Sequence, residues 1–391
     1  MSTNPLRVAV VGGGIGGVAT AAALLQRGLD AHLYEQAPAL TEVGAGVAIQ
    51  PNGVRMLERF GLGDELRRHG ARWVDPQFRR EDGTFAASMW PPEIASTIAF
   101  YGMHRADLLA MFVSRLPAKH VHTGHRCVGF EQSADEAVVT FANGARVRAD
   151  AVIAADGIHS VLQHYVVAPS KPLFSGSVAH RGLITAASVG WPAGQMRNWL
   201  GAGKHFLVFP VRANELVNYV GFVTTQEQTR ESWSAPGDPE ELKRAFASWD
   251  PMVEAILAQA QHTFRWGLYD REPLATWTKG RLTLLGDAAH PMLPHAGQGA
   301  NQAIEDAIAV ATILGHANRD AAPRALQLYE QVRREQAARV QRSSRFNGAL
   351  YEAAKGDLDE RDRQLATQRQ SRAYIWNFDA EAEAAKAAAS L

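Results

Sequence analysis

The chain predicts an α/β fold of two lobes. Three observations predict it. Residues 6–11 form a β-branched run, a glycine cluster at 12–17 breaks it, and residues 18–27 are Ala- and Leu-rich with helical spacing. Residues 174–268 then lose that spacing and run as short β segments between turn residues. From about residue 322 the chain is charged, polar and helical. The first pattern is the strand, turn and helix of a Rossmann-like βαβ unit, and the second is a mostly antiparallel sheet inserted into that lobe.

Each element follows from its residues. Gly12 makes the turn, Gly14 lets a pyrophosphate approach the backbone, and Gly17 lets the helix pack tightly on the strand. Gly28 stops the helix, and a second strand over 31–34 ends at Glu35. Glu35 follows the first glycine at about the 20-residue spacing at which a carboxylate meets an adenosine ribose. Gly44 to Asn52 reads as a loop entering a helix over 54–60. Residues 73–100, with Trp90-Pro91-Pro92, read as an excursion into the second lobe. His104-Arg105-Ala106-Asp107 opens a helix, and Asn143-Gly144 closes a hairpin of 137–141 with 146–148. A buried-type strand over 151–155 runs into Asp156-Gly157. Strands are expected over 178–185, 205–211 and 217–224, and a helix over 242–260. A strand over 281–285 ends at Gly286-Asp287, a helix begins near Gly299, and a long charged helix covers 322–345. Beyond Tyr351 the anchor is Tyr374-Ile375-Trp376, and 380–391 reads as a frayed Ala-rich helix or disordered tail.

Composition narrows the function classes. The 391 residues suffice for two or three lobes, and 40 basic against 40 acidic residues give no global field for nucleic acid or an anionic membrane. Cys127 is the only cysteine, which excludes an intrachain disulfide and a CxxC redox or zinc site, and no metal is expected. Residues 8–25 carry no charge, yet the glycine cluster breaks the chain where a spanning helix would run on. These features give a cytoplasmic protein with no membrane partner as the expectation.

The glycine cluster with Glu35, His104-Arg105-Ala106-Asp107-Leu108, Ala154-Ala155-Asp156-Gly157 and Leu284-Leu285-Gly286-Asp287-Ala288-Ala289-His290-Pro291 together resemble the single-component FAD-dependent aromatic hydroxylases, the para-hydroxybenzoate hydroxylase-like family, over about residues 6–345. The resemblance implies an FAD-binding domain of residues 1–72, 101–173 and 268–350. A substrate-binding domain would comprise 73–100 and 174–267, and a C-terminal helical segment 351–391. It implies FAD contacts from Gly12, Gly14, Ile15, Gly16, Gly17, Glu35, Gln36, Arg105, Asp156, Gly157, Gly286, Asp287, Pro291, Gly299, Ala300 and Asn301. The Asp156-Gly157 pair is also linked in the family to nicotinamide nucleotide binding. Asp156 has a second reading as a capping aspartate. The helix entered through Gly297-Gln298-Gly299-Ala300-Asn301 would point its positive end at the flavin, stabilising the reduced anion.

Within the family the likeness is closer to the salicylate, 3-hydroxybenzoate and 6-hydroxynicotinate hydroxylases. Ser175 to Gly182, Gly203 to Pro210 and His290 to His295 carry it. The implied reaction consumes NADH or NADPH and O2 and hydroxylates a small aromatic acid through a flavin C4a-hydroperoxide. That oxidant needs an electron-rich ring, so a phenol of pKa ~10 must lose its proton. A histidine of pKa ~6.5 can take it. His205 is the first candidate and His295 the second, while His180 reads equally well as strand support. Arg181, Phe209 and Pro294 are expected at the substrate, and Arg181 or Arg212 could hold a carboxylate. Two departures bear on the substrate. Phe209 stands where the salicylate and 3-hydroxybenzoate enzymes often have tyrosine, and Ala48 where the hydroxynicotinate enzymes have histidine.

The alternatives are a tailoring epoxidase or hydroxylase of a larger aromatic metabolite, a halogenase, a non-catalytic flavin-binding protein, and a dehydrogenase using NAD alone. No Trp-x-Trp-x-Ile run supports a halogenase. A single NAD site leaves the Asp156-Gly157 and Gly286-Asp287 pairs unexplained. A homodimer is one assembly open to such a chain.

Overall fold

The structure, a computed structural model, describes residues 5–41, 45–90, 98–168, 170–227, 235–353 and 358–391. Gly44, Pro91 and Pro92 lie outside them. The chain opens with β1 (Arg7–Val11), α1 (Ile15–Gln26) and β2 (Asp30–Tyr34). Helix α1 begins earlier than the Ala-rich pattern because Gly14, in extended backbone, already serves as its N-cap. Gly17 sits where any Cβ would fall on the carbonyl oxygen of Gly12, so only glycine allows this approach of helix to turn.

Next come β3 (Gly46–Ile49), α2 (Pro51–Arg59), α3 (Gly63–His69), β4 (Ala71–Arg72), β5 (Gln77–Arg80), β6 (Phe85–Ser88), β7 (Tyr101–His104) and α4 (Arg105–Val113). The expected loop before α2 is therefore partly a strand. β3 pairs antiparallel with β7, and the Asn218 side chain accepts the Gly46 N–H at 2.8 Å. Sequence reasoning missed it because the run is four residues long and its partner is remote.

Then follow β8 (Val121–His122), β9 (Cys127–Gln132), β10 (Ala137–Phe141), β11 (Arg146–Ala149), β12 (Ala151–Ala154), β13 (Leu173–Thr185), β14 (Arg197–Gly201), β15 (Lys204–Val211), β16 (Leu216–Thr224) and β17 (Pro236–Gly237). The single helix expected over 242–260 is two, α5 (Pro239–Ala245) and α6 (Pro251–Gln259). Ser248 takes a left-handed φ of 66°, and Asp250 caps α6 by accepting the Met252 N–H at 2.9 Å, with Pro251 behind it.

The remainder is β18 (Thr263–Asp270), β19 (Thr278–Lys279), β20 (Leu282–Leu284), α7 (Gly299–Leu314), α8 (Ala322–Tyr351), α9 (Leu358–Ser371), α10 (Ala373–Trp376) and α11 (Ala380–Ala388). The tail over 380–391 is neither frayed nor disordered through α11. Asp379 caps that helix through Ala382, and Ala380, Ala384 and Ala388 bury one face against α7 and α8. Ion pairs from Arg59 to Asp379 at 2.6 Å and Arg27 to Glu381 at 2.7 Å tie it down. Its apolar face is alanine alone, which is why composition resembled a tail.

The strands form two large sheets. One has the order β19-β20-β12-β1-β2-β8, with β20, β12, β1, β2 and β8 parallel. Gly12, Asp156 and Gly286 follow the ends of neighbouring parallel strands, where open α/β sheets bind ligands. The other has the order β17-β18-β13-β16-β15-β14-β5-β6. It is antiparallel except where β14 meets β5. Residues 77–88 thus join the inserted sheet, and β18 carries that sheet on to Asp270. Trp73, Phe78, Phe209, Tyr351, Ile375 and Trp376 share one apolar cluster, which fastens the C-terminal helices to the inserted sheet. Among the described residues no helix is long and apolar enough to cross a membrane.

Candidate active site

One cavity of about 770 Å3 runs between the parallel sheet and the inserted one. Gly12, Gly14, Ile15, Gly16, Glu35, Gln36, Arg105, Asp156, Gly157, Gly286, Asp287, Gly299 and Ala300 line its dinucleotide half. The backbone there is bent as only glycine permits, with φ of 110° at Gly12, 79° at Gly157 and 60° at Gly286. Gly14, Gly157 and Gly299 have open space where a Cβ would stand. Glu35 accepts N–H bonds from Gly13 at 2.5 Å and Ala37 at 2.7 Å. Asp156 caps the following turn through Oδ2, which accepts from Val161 at 2.9 Å, so its capping role is real. Its Oδ1 is nonetheless buried with no hydrogen-bond partner among the described residues, and burial pushes the carboxyl above its usual range. Asp287 opens onto the cavity. This cradle of uncrowded glycines, one helix N-terminus, a cation and short carboxylates fits FAD.

Three expected contacts lie behind the wall. Gly17 serves helix packing. The Pro291 carbonyl accepts from Gln341 at 2.9 Å. Asn301 accepts the Gln50 N–H at 3.0 Å and donates to Ala48 O and Gly297 O, both at 2.9 Å. With Gln50, Asn52 and Gln298 it forms a buried amide network that fixes the entry to α7. His290 is likewise structural. Its Nε2 meets Asp306 at 2.6 Å, while Arg333 reaches Asp306 at 2.8 Å and Glu305 at 2.7 Å. Burial works to raise the Asp306 carboxyl, but His290 and Arg333 outweigh it and hold it at about 2. Asp306 also accepts the Gly286 N–H at 3.1 Å, which sets the Gly286-Asp287 turn.

The ring half is walled by Trp73, Phe78, Phe209, Phe222, Trp266 and Pro294, with His205 and His295 among them. His205 stacks on Phe222 at 4.1 Å, and its ring centre is 5.2 Å from that of His295. Burial, then the neighbouring His295, holds His205 well below the usual histidine range, and burial brings His295 down to about 3. Both are therefore neutral bases at neutral pH. Arg181 lines the wall with its guanidinium 4.9 Å from the Trp266 ring centre.

Arg212 is turned away and pairs with Asp107 at 2.9 Å on the surface. Cys127 lines the cavity beside His125 and Arg126. His180, the residue with two readings, is buried off the cavity, 3.8 Å from Glu241.

Sequence reasoning also missed residues. Arg372, from the C-terminal segment, lines the ring half and donates to the Tyr351 hydroxyl at 2.8 Å. Glu352 stands 3.7 Å from His205 and 3.8 Å from His295. Neither carried a motif, and only the return of the last helices to the inserted sheet brings them here.

The family model described as FAD binding domain matches residues 5–344. A 3-amino-4-hydroxybenzoate 2-monooxygenase of Streptomyces platensis is 38% identical over 98% of this chain and 98% of its own. A salicylate hydroxylase of Pseudomonas putida is 35% identical over 99% of this chain and 95% of its own. A solved salicylate hydroxylase substrate complex superposes with a TM-score of 0.86 at 31% identity, covering 99% of this chain and 98% of the other. These matches run nearly the full length of the chain, which belongs to the FAD binding domain family as an FAD-dependent aromatic-ring monooxygenase.

Proposed function

We propose that the chain hydroxylates a small hydroxylated aromatic carboxylic acid of the salicylate, hydroxybenzoate, aminohydroxybenzoate or hydroxynicotinate type, using NADH or NADPH and O2. The observation that carries this reading is the continuity of one cavity from the glycine turn at Gly12 to the neutral imidazoles of His205 and His295. Bound FAD, reduced by the nicotinamide, supplies the electrophilic oxygen. The protein's part is to bind, orient and deprotonate the ring.

In this reading Gly12, Gly14, Ile15, Gly16, Glu35, Gln36, Arg105, Asp156, Gly157, Gly286, Asp287, Gly299 and Ala300 contact FAD. His205 takes the ring hydroxyl proton and His295 supports it. Arg372 is best placed for the ring carboxylate, because it rests on Tyr351, whose ring centre is 5.4 Å from that of His205. Arg181 is the second cation at that wall. Phe209 and Pro294 offer only apolar contact, so position 209 does not supply the hydroxyl that a tyrosine there would. The two sheet systems act as FAD-binding and substrate-binding parts, and we place the enzyme in the cytoplasm, as a homodimer.

The test is a screen of salicylate, the hydroxybenzoates, 3-amino-4-hydroxybenzoate and 6-hydroxynicotinate for stimulated NAD(P)H oxidation and a hydroxylated product. At least one should give both. Oxidation that no ring acid stimulates would count against the reading.

A further inference from the structure

Behind the two imidazoles of the ring half stands a carboxyl that substrate contact does not explain. Glu352 follows the last residue of α8, and its Oε2 accepts the Ser177 hydroxyl at 2.5 Å. Its Oε1 faces two imidazoles, 3.7 Å from His205 Nδ1 and 3.8 Å from His295 Nε2. Oε1 and the Nδ1 atoms of both histidines are buried with no hydrogen-bond partner among the described residues. Unpaired polar atoms in an apolar wall are costly and ask for a purpose. The distances exceed hydrogen-bond reach by less than an ångström, a gap typical of catalytic contacts before substrate arrives.

We propose that Glu352 is the terminal acceptor of the ring hydroxyl proton, which reaches it through His205, with His295 as the second imidazole of the relay. The proposal rests on the functional reading above and deepens it. The ring O–H bond breaks and its proton joins the cavity-facing nitrogen of His205. The proton on His205 Nδ1 passes to Glu352 Oε1. The ring gains one negative charge, Glu352 loses one, and the net charge of the buried site is unchanged.

Charge conservation is the physical reason for the relay. Burial disfavours an imidazolium at His205 and at His295, so neither stores the proton well. Burial pushes the Glu352 carboxyl up to about 7, against the Ser177 bond that favours its ionised form. A carboxyl at that value is ionised often enough near neutrality to accept a proton and basic enough to hold it. The groups facing it are His205 from β15, His295 from the turn before α7, Ser177 from β13 and Tyr351 from its own helix. Arg372 is bound to the Tyr351 hydroxyl.

Glu352→Gln keeps the shape and the Ser177 contact but cannot accept the proton. The FAD-loaded enzyme is assayed with 3-amino-4-hydroxybenzoate, or whichever ring acid of the screen it turns over, for product formed per NAD(P)H consumed across pH. Anaerobic flavin reduction is measured alongside. Wild-type coupling should rise as pH passes through about 7, because below that value Glu352 already carries the proton. In Glu352→Gln the rise should vanish and the oxygen-transfer step slow by about 10²-fold, read as lower coupling with flavin reduction unchanged, and Glu352→Asp should restore part of both. A Gln variant with wild-type coupling and pH profile overturns the relay alone. A wild-type enzyme that hydroxylates no ring acid overturns the functional reading and the relay with it.

Discussion

Glu35 closes back on the glycine turn: its Oε2 accepts the Gly13 N–H at 2.5 Å, joining the end of β2 to the end of β1. The Ala37 N–H engages its other oxygen at 2.7 Å. A carboxylate has about four acceptor sites, so the two oxygens retain capacity for a ribose while the backbone fixes their direction.

Glu35→Ala should therefore weaken FAD binding by about ten- to hundred-fold, the equivalent of ~1.5–3 kcal/mol for hydrogen bonds to a charged acceptor. The reaction type should not change, since the contact is remote from the reacting ring. Flavin fluorescence titration gives the FAD dissociation constant. An unchanged value would remove the ribose assignment.

FAD should be held without a covalent bond. Cys127 lines the cavity, but burial pushes its thiol up to about 11, which leaves little thiolate at neutral pH. Acid precipitation should release all the yellow colour into solution. Colour retained on the precipitated chain would contradict this.

Much of the flavin half was legible because its residues obey local rules. Positive φ demands glycine at Gly12, Gly157 and Gly286, and the parallel strands before them are short apolar runs. The ring half was legible only through His205 and His295. Arg372 and Glu352 reach it by tertiary packing of helices whose apolar content is low, a relation without periodic signature. The side-chain role of Asn301 was not legible for the opposite reason: it lies in a glycine-rich helix entry, yet its amide is spent on Gln50, Ala48 and Gly297. Ser248 broke a helix that apolar spacing alone had joined, although Asp250-Pro251 announced a new N-terminus.

Arg372→Ala should raise KM for a ring acid by about ten- to hundred-fold, from the loss of a charged hydrogen bond. KM for the corresponding phenol without the carboxylate should move little. The ratio of the two constants isolates the carboxylate contact. Equal effects on acid and phenol would assign the role to Arg181.

Stability should fall on acidification through His295. Its folded value is about 3, against about 6.5 when unfolded, so between the two the unfolded chain binds the extra proton. The contribution is complete above about 6.5 and is lost toward about 3, at up to ~1.4 kcal/mol per pH unit. Glu352 acts with the opposite sign, its share being lost as pH rises through about 7. Thermal melts at neutral and mildly acid pH should show a smaller acid loss in His295→Asn than in wild type. An equal loss would mean that His295 is protonated in the fold.

In the proposed function His205 deprotonates the aromatic substrate for oxygen transfer. Hydride transfer needs only nicotinamide against flavin, whereas oxygen transfer needs the electron density of a deprotonated ring. The direct measurement is product formed per NAD(P)H consumed in His205→Ala, set beside the anaerobic rate of flavin reduction, with a ring acid that wild type accepts. The reading predicts a reduction rate near wild type, an oxygen-transfer step slower by about 10²–10⁴-fold, lower coupling, and hydrogen peroxide in place of the missing product. Wild-type coupling in His205→Ala would contradict it.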